Sequence, residues 1–263
     1  MQSLLAGVGS ADVITDPFPH VVVKDVLDDD VCARLIEELP PLEAVTKTPD
    51  YPSNKGYALA TGEARENPAI SPLWRELMNS CVTQQFLDDL VRVLGDEILR
   101  TYPSFEEQVA PLDSLRAGLR FVDEFDQADV LLDAEVLVNT PVVGSPSSAR
   151  SPHVDDTYRL FNGQLYMRPP GDDSTGADVD LFRFRGAPGG FRDRNVDMDL
   201  LEVVKTVRYE RNAFLLMLNS MDALHGVTDR SVTPTAKYVV NLVGQMERPL
   251  FDLSEYQAEP AAA

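Results

Sequence analysis

The sequence is short of cysteine, tryptophan and histidine, and each shortage excludes a class of protein. It has two cysteines and one tryptophan in 263 residues. Cys32 and Cys81 both lie in segments with helical patterning and lack the close spacing of a zinc site. They therefore predict buried thiols in a reducing compartment rather than a disulfide framework. With three histidines in the chain, any metal site built on imidazole has few ligands to choose from.

Positive charge and long apolar runs are also scarce. Lys and Arg total 23 against 43 Asp and Glu, which gives a formal net charge of −20. A chain this acidic repels phosphate backbones and anionic membranes, so general nucleic-acid binding is disfavoured. No apolar run approaches the roughly 18 residues of a membrane-spanning helix, and the first residues have no basic leader. We therefore expect a cytoplasmic protein with no membrane partner.

The chain has enough apolar material for one large core. Hydrophobic residues make up 44% of the sequence, and a chain of this length commonly forms one domain. We predict a single catalytic domain over residues 1–263, with a helix-rich part at 1–118, a core at 119–250 and a tail at 251–263. The tail beyond Glu255 is predicted to be disordered.

The first part of the chain is predicted to be mainly helical. After a short strand at 21–23, apolar residues recur at helical spacing behind acidic, Ser-Pro or Thr start signals. Gly95 is predicted to end the third helix. Residues 42–70 show no sustained period and are predicted to be irregular. The predicted helices cover residues 31–39, 73–78 and 83–94.

From about residue 115 the pattern becomes extended. Short segments rich in β-branched and aromatic residues alternate with Gly, Pro, Asn and Asp, and 168–178 and 186–199 are predicted to be turn-rich insertions. Many short strands after a block of helices indicate an α+β fold, an antiparallel sandwich or jelly roll packed against helices. The predicted strands cover residues 119–122, 130–138, 164–167, 179–184, 202–207, 213–218 and 238–243.

The motif with the clearest chemistry is His153-Val154-Asp155. Side chains alternate along an extended segment, so the histidine and the carboxylate point to the same side and could hold one metal ion. His225, which follows the apolar segment 213–218, is the second histidine. Two histidines and one carboxylate form the facial triad of non-haem Fe(II) oxygenases. His20, beside a proline and without ligand-like neighbours, is predicted to be structural or exposed rather than a metal ligand.

Four features follow one another along most of residues 16–245. They are Pro17-Phe-Pro-His20, His153-Val-Asp155 before a strand with Tyr166, the 214–218 strand running into His225-Gly-Val, and the strand from Lys237 to Val243. In this order they resemble the Fe(II)- and 2-oxoglutarate-dependent oxygenases, in particular their prolyl-hydroxylase-like branch. The resemblance implies a double-stranded β-helix, or jelly-roll, core with the N-terminal helices packed against it. The triad would lie at the mouth of that core, and the cofactors would be Fe(II), 2-oxoglutarate and dioxygen.

The resemblance also implies which residues bind 2-oxoglutarate. In the family a basic residue shortly after the second histidine holds the distal carboxylate, and Lys237 fits. It lies slightly further beyond His225 than usual and replaces the usual arginine, so it offers a point charge without the bidentate fork. Arg230 is the second choice. Tyr166 would place its hydroxyl against the same carboxylate, and Asn139, in the preceding strand, is a further candidate.

The reaction that the resemblance implies is hydroxylation of an unactivated carbon, with 2-oxoglutarate converted to succinate and carbon dioxide. Asp155 argues against halogenation, because halogenating relatives vacate the carboxylate position. Desaturation and ring closure stay open. The substrate is expected to be a small molecule, a peptide or a carrier-tethered group, and the oligomeric state is left open. Two alternatives are a cupin-type metal-dependent isomerase or epimerase and a non-catalytic jelly-roll ligand-binding protein.

One segment departs from the acidity of the chain. Between residues 183 and 211, basic residues outnumber acidic ones. One hypothesis is that part of this segment, with Arg192 and Arg194 as candidates, binds an anionic group on the substrate, such as an amino-acid carboxylate or a carrier phosphate. The alternative is a set of surface strands with balanced ion pairs. The basic residues are Arg183, Arg185, Arg192, Arg194, Lys205, Arg208 and Arg211.

Overall fold

The chain has a mixed α+β architecture, with most helices before residue 110 and most strands after it. The structure is a computed structural model and describes residues 1–258. Within that range the helices are α1 (Asp29–Glu37), α2 (Leu42–Thr46), α3 (Thr61–Glu66), α4 (Pro72–Ser80), α5 (Gln84–Thr101) and α6 (Phe105–Gln108). The strands are β1 (His20–Val23), β2 (Gly56–Leu59), β3 (Ala117–Leu119), β4 (Val130–Asn139), β5 (Arg159–Tyr166), β6 (Val179–Phe184), β7 (Phe191–Arg192), β8 (Asn195–Val196), β9 (Leu201–Val207), β10 (Phe214–Leu218), β11 (His225–Val227) and β12 (Lys237–Gln245).

A seven-stranded sheet organises the molecule. Its strand order is β1-β10-β5-β12-β4-β2, with β3 pairing in parallel beside β4 and every other pair antiparallel. The central strand β12 sets the register, since Lys237 lies opposite Asn139 and Val239 lies opposite Tyr166. Three strands distant in sequence therefore present their side chains as neighbours on one sheet face.

One face of this sheet is covered by the helices. Alternate residues of β4 from Val130 to Val138 belong to a buried cluster that includes Trp74 of α4 and Phe86 of α5. Ser71 and Thr83 cap these helices, because their hydroxyl oxygens accept the amide hydrogens of the residues three positions on. The sequence-predicted start signals thus fix where the helices begin, and their apolar sides fix how they pack.

The other face is partly covered by a second, three-stranded sheet of order β11-β6-β9. Val179 and Leu181 of β6 share a buried cluster with residues of the large sheet, among them Tyr166, Leu215 and Val239. Beyond this cluster the same face of the large sheet carries polar side chains. That change from apolar to polar marks where a cavity opens between the two sheets.

Several predicted boundaries are wrong. Gly95 does not end the third helix, since α5 continues to Thr101 with Ile98 buried and Gly95 packed against Leu112. Residues 42–70 are not irregular, because they contain α2, β2 and α3, and β2 forms the edge of the large sheet beside β4. Tertiary pairing overrides weak local patterning in such short elements.

Most predicted strands are confirmed with small shifts. The segment predicted at 119–122 is an exception, since the strand covers 117–119 and Phe121 adopts a positive φ of 65° in the turn that follows. The predicted insertion at 186–199 contains the short hairpin of β7 and β8. The predicted disordered tail begins after Glu255, and its residues from 259 onward lie outside the described residues. In the part that is described, the Ala258 amide donates a hydrogen bond to the Phe191 carbonyl.

Among residues 1–258, no helix has both the length and the apolar content that would be needed to cross a membrane.

The close packing at Gly244 gives a test of this fold. A Cβ at Gly244 would collide with the Phe161 ring and approach Val130 Cγ1 at 3.1 Å. We expect Gly244→Ala to lower the free energy of unfolding by about 1–3 kcal/mol, the usual cost of overpacking a core. Gly7→Ala is the matched control, because nothing lies within 4 Å of the position that its added methyl group would take. Urea unfolding of both variants measures the difference, and equal stability of the two would contradict the described strand pairing.

Candidate metal centre

His153, Asp155 and His225 come together in space. His153 and Asp155 lie between β4 and β5, and His225 begins β11. The amide of each histidine donates to the carbonyl of the other at 2.9 Å, which holds the two imidazoles side by side. Nε2 of His153 is 3.9 Å from Asp155 Oδ1, and Nε2 of His225 is 3.9 Å from Asp155 Oδ2. One ligand atom from each residue lies within 4.8 Å of the other two.

Both imidazoles are held in the tautomer that a metal requires. Nδ1 of His153 is 2.8 Å from the Ser151 carbonyl, and Nδ1 of His225 is 2.9 Å from the Ala223 carbonyl. A carbonyl only accepts, so each Nδ1 carries the hydrogen and each Nε2 keeps its lone pair. Burial, followed by the neighbouring His225, lowers the pKa of His153 to about 3. His153 is therefore neutral and able to coordinate at physiological pH.

Asp155 supplies the negative charge. Its Oδ2 is buried and has no hydrogen-bond partner among the described residues, while Oδ1 accepts from Nη1 of Arg159 at 3.3 Å. Burial raises the pKa of Asp155, but His225, Arg159 and His153 outweigh burial and the net shift is downward. A buried, ionised carboxylate with an unpartnered oxygen beside two free imidazole nitrogens fits a divalent first-row metal.

The third histidine stays apart from this set. Nδ1 of His20 is 2.8 Å from the Phe18 carbonyl, and its Nε2 is 3.1 Å from Nζ of Lys205. His20 is fully buried and both of its ring nitrogens have partners, so of the two predicted environments, structural or exposed, it has the structural one.

The triad opens into a cavity of about 460 Å³. Its floor is the polar part of the large sheet, and its rim includes loop residues before His153 and between β7 and β8. The floor residues come from alternate positions of three paired strands, which is why they face one side together. They are Glu135, Leu137, Asn139, Asn162, Gln164, Lys237, Val239 and Asn241.

Lys237 lines this cavity and is almost completely buried, at 3% exposure. Its Nζ donates to the Ala177 carbonyl at 2.7 Å and lies 4.9 Å from the centroid of the Tyr209 ring. Within residues 1–258, no carboxylate lies within ion-pair distance of it. Burial, followed by the positive charge of Arg230, lowers the pKa of Lys237 to about 7. A buried ammonium without a counter-ion fits an anionic ligand.

Of Tyr166, Asn139 and Arg230, only Asn139 lines the cavity. The Tyr166 hydroxyl is buried and unpartnered among the described residues, and burial raises the pKa of the phenol. Asn139 lines the cavity opposite Lys237. Arg230 does not line it, because Nη2 pairs with Asp172 at 2.8 Å and Nε donates to Ser174 at 3.0 Å. Only its Nη1 is left without a partner.

Sequence reasoning missed a hydrogen-bonded chain across the cavity floor. Arg120 donates to Glu135 at 3.1 Å, and Asn241 donates to the other oxygen of Glu135 at 3.0 Å. Asn162 in turn donates to Asn241 at 3.3 Å. The available signal was polar residues at every second position of otherwise apolar strands. Arg150 and Arg159, which also line the cavity, were not assigned a role.

The basic segment 183–211 is mostly dispersed over the surface. Arg192 pairs with Asp197 at 3.0 Å, and Arg194 is the one member of the segment that lines the cavity. The hypothesis of an anion-binding segment therefore stays a prediction for Arg194 alone, and ion pairing explains most of the rest. The other pairs are Arg183 with Asp16 and Glu202, Arg208 with Asp178, and Arg211 with Asp29.

Comparison with known proteins gives structural neighbours only. No protein-family model and no curated protein matches the chain. A structure of prolyl 4-hydroxylases from Phytophthora capsici has 17% identity and a TM-score of 0.49, over 87% of this chain and 59% of that chain. This chain therefore spans about three fifths of that relative's length.

Two further solved structures have comparable sequence identities and TM-scores. A Pseudomonas putida prolyl-4-hydroxylase has 11% identity and a TM-score of 0.46, over 87% of this chain and 92% of that one. The epimerase SnoN, solved with Fe3+, alpha ketoglutarate and nogalamycin RO, has 15% identity and a TM-score of 0.48, over 92% and 88%. At this level of similarity the neighbours do not assign a reaction, so the side chains of this chain must do so.

Replacing the triad carboxylate tests the metal site. We expect Asp155→Asn to weaken binding of Co(II) or Fe(II) by at least about 100-fold, since removing groups that merely support a ligand already costs about 10–100-fold. Asp156→Asn is the matched control, because Asp156 is adjacent and its Oδ1 accepts only a local amide hydrogen bond at 3.1 Å. Anaerobic calorimetry measures both affinities. Equal affinities in the two variants would show that the metal binds elsewhere.

Proposed function

We propose that this protein is an Fe(II)- and 2-oxoglutarate-dependent dioxygenase that hydroxylates an unactivated carbon of a small-molecule, peptide or carrier-tethered substrate. One observation carries the proposal: a His–His–carboxylate set shares a cavity with a buried lysine that has no counter-ion among residues 1–258. The overall reaction would consume substrate, dioxygen and 2-oxoglutarate and release hydroxylated substrate, succinate and carbon dioxide.

His153, Asp155 and His225 would hold the iron. Two neutral imidazoles and one carboxylate are the donor set of non-haem Fe(II) oxygenases and leave coordination positions open for other ligands. When bound, the iron supplies activation of dioxygen coupled to decarboxylation of 2-oxoglutarate. The protein contributes the backbone hydrogen bonds that fix both imidazoles and a carboxylate that neutralises part of the metal charge.

Lys237 and Tyr166 would bind the distal carboxylate of 2-oxoglutarate. An ammonium group and a phenolic hydroxyl are both donors, and a carboxylate accepts from both. Within residues 1–258 the Tyr166 hydroxyl has no partner and the Lys237 ammonium has no counter-ion, and both groups are otherwise costly to bury. Arg230 is held by Asp172 and Ser174, so we assign it a supporting positive charge rather than direct contact. Asn139, opposite Lys237, would be an additional donor.

We further propose that the two sheets form a double-stranded β-helix, with residues 1–263 as one catalytic domain. The shared cluster between the large sheet and the β11-β6-β9 sheet supports this arrangement. The helices then cover the outer face of the large sheet, and the triad lies where the two sheets separate.

The two alternative functions, an isomerase or epimerase and a non-catalytic ligand-binding protein, do not account for all the groups found in the site. A cupin-type isomerase or epimerase would use the same three metal ligands but has no need of a buried lysine in that cavity. Nor does it need a tyrosine whose ring centroid lies 5.6 Å from Nζ of that lysine and whose hydroxyl has no partner among residues 1–258. A ligand-binding protein without catalysis has no need of the tautomer control at both histidines. The combination of these features favours the oxygenase.

An anaerobic titration tests the proposal directly. We expect Fe(II) followed by 2-oxoglutarate to produce the visible charge-transfer absorption of a 2-oxo acid chelated to ferrous iron. His225→Ala should give no band, because one metal ligand is lost. Lys237→Met, which keeps an apolar chain of similar length, should give the band only at 2-oxoglutarate concentrations at least about tenfold higher, as expected for a lost charge-assisted contact.

Two outcomes of this titration would contradict parts of the proposal. If wild-type protein binds Fe(II) but shows no band with 2-oxoglutarate, the oxygenase proposal is wrong and the cupin-type alternative becomes the leading one. A band of equal 2-oxoglutarate dependence in wild type and Lys237→Met would keep the reaction but remove Lys237 from the cosubstrate site.

The lowered pKa of Lys237 predicts how 2-oxoglutarate binding depends on pH. Below about pH 7 the amine is already protonated and binds the carboxylate directly. Above that pH, binding must be accompanied by proton uptake, so the apparent Kd should rise by up to about tenfold per pH unit. Lys237→Arg is the control, because its guanidinium stays charged and its Kd should be flat over the same range. Parallel pH profiles for the two proteins would contradict the assignment.

A further inference from the structure

Three arginines line the solvent-exposed side of the cavity that contains the metal triad. Arg150 is exposed, and the side chains of Arg194 and Arg159 are 31% and 23% exposed. Lys237, in the same cavity, is buried. The cavity therefore has positive charge in two places, one deep and one near solvent. The proposed cosubstrate accounts only for the deep one.

The charges of these arginines are poorly neutralised. Arg150 makes no side-chain hydrogen bond or ion pair with any residue from 1 to 258. The nearest carboxylate to Arg194 is that of the exposed Asp193, at 3.9 Å. Arg159 lies 3.3 Å from Asp155, whose charge the proposed metal would share. Elsewhere arginines pair more closely, as Arg116 does with Asp129 at 3.0 Å.

Clustered arginines also repel one another. The Arg150 side chain is partly desolvated by its neighbours although it reaches solvent, and this desolvation, followed by the charges of Arg194 and Arg159, lowers its pKa, while Asp155 and Asp193 act in the opposite direction. In a chain with a net charge of −20, acidic partners for these groups are abundant, yet few face them. A bound anion would relieve this repulsion, and the clustered charge would focus anionic molecules on the cavity.

A second observation in the cavity points to a ligand other than 2-oxoglutarate. Glu135 accepts from Arg120 through one oxygen and from the Asn241 amide nitrogen through the other, so Asn241 turns its amide nitrogen toward Glu135. Asn241 Oδ1 then accepts from the amide nitrogen of Asn162, which leaves Asn162 Oδ1 buried without a donor among residues 1–258. Ionised 2-oxoglutarate carries acceptors only, so it cannot satisfy this atom.

From these observations we infer that Arg150, Arg159 and Arg194 bind an oxyanion, a carboxylate or a phosphate, on the substrate, and that the substrate also carries an O–H or N–H donor for Asn162. Guanidinium groups suit both oxyanions because their donors match the two oxygens in pairs. A cavity of about 460 Å³ that also holds 2-oxoglutarate has room for a small molecule. The inference rests on the proposed function where it calls the bound molecule a substrate, assigns Lys237 to 2-oxoglutarate and lets the metal share the charge of Asp155.

The test uses metal-free, full-length protein and simple anions. Inorganic phosphate is followed by ³¹P line broadening and butyrate by methyl-proton relaxation, at low ionic strength. We expect the double variant Arg150→Gln/Arg194→Gln to raise the Kd of at least one anion by about tenfold or more. The control Arg183→Gln/Arg192→Gln removes the same charge from surface ion pairs and should keep wild-type affinity. Lys237→Met is the comparison for the deep positive charge, and a loss of binding confined to this variant would place the anion at Lys237 instead.

Further binding measurements identify the class of the anion and test the Asn162 contact separately. Preference for phosphate over butyrate indicates a phosphorylated substrate, and the reverse indicates a carboxylic acid. 4-Hydroxybutyrate should bind more tightly than butyrate to wild type, and Asn162→Leu should abolish that difference. If the difference is absent in wild type, or persists in Asn162→Leu, the donor part of the inference is wrong.

Three results would overturn the arginine site. They are no binding of either anion to wild type, equal loss in the surface-arginine control, and loss in Lys237→Met alone. Thermal unfolding of each variant verifies that it is folded, and Arg150→Lys/Arg194→Lys, which keeps the charge but not the paired donors, should bind with intermediate affinity. Because no metal is present, failure here is distinct from failure of the charge-transfer titration.

Discussion

The pair of backbone hydrogen bonds between His153 and His225 is the constraint on which the site depends. Each histidine donates its amide to the carbonyl of the other, so two segments far apart in sequence are held at one spacing. The imidazoles are then oriented by the carbonyls of Ser151 and Ala223, and Asp155 completes the set. A metal ion would add bonds to an arrangement that backbone pairing already establishes, which lowers the conformational entropy lost on binding.

The large sheet gives the site its polar and apolar sides. Its outer face packs against Trp74 and Phe86, and these contacts exclude water from one side of every central strand. On the inner face the apolar cluster around Tyr166 gives way to polar side chains where the second sheet no longer covers it. Glu135 and Asn241 are kept satisfied by hydrogen bonds to each other and to Arg120, so a polar floor can exist inside an otherwise apolar core.

The basic residues of the cavity are opposite in sign to the net charge of the chain. The net charge is −20, yet the cavity carries Lys237 at depth and arginines near solvent. The acidic surface makes copies of the chain repel one another, and the cationic cavity is where an anion gains most, because low-dielectric walls strengthen the attraction. The two positive regions differ in character. Lys237 can lose its proton near neutral pH because it is buried, whereas an arginine stays charged.

Local patterns in the sequence determined many of the elements and the candidate metal ligands. Periodicity and capping residues located three of the six described helices and most of the strands, because these signals lie within a few residues of one another. His153-Val-Asp155 is equally local, whereas His225 was chosen because the chain has only three histidines and because it follows the apolar segment 213–218. Only the tertiary structure decided the rest. The continuation of α5 through Gly95 and the addition of β2 to the sheet depend on packing partners elsewhere in the chain. The roles of Arg230, Arg150 and Asn162 were likewise undetermined, because whether a polar side chain is paired, exposed or left without a partner depends on residues brought beside it by folding.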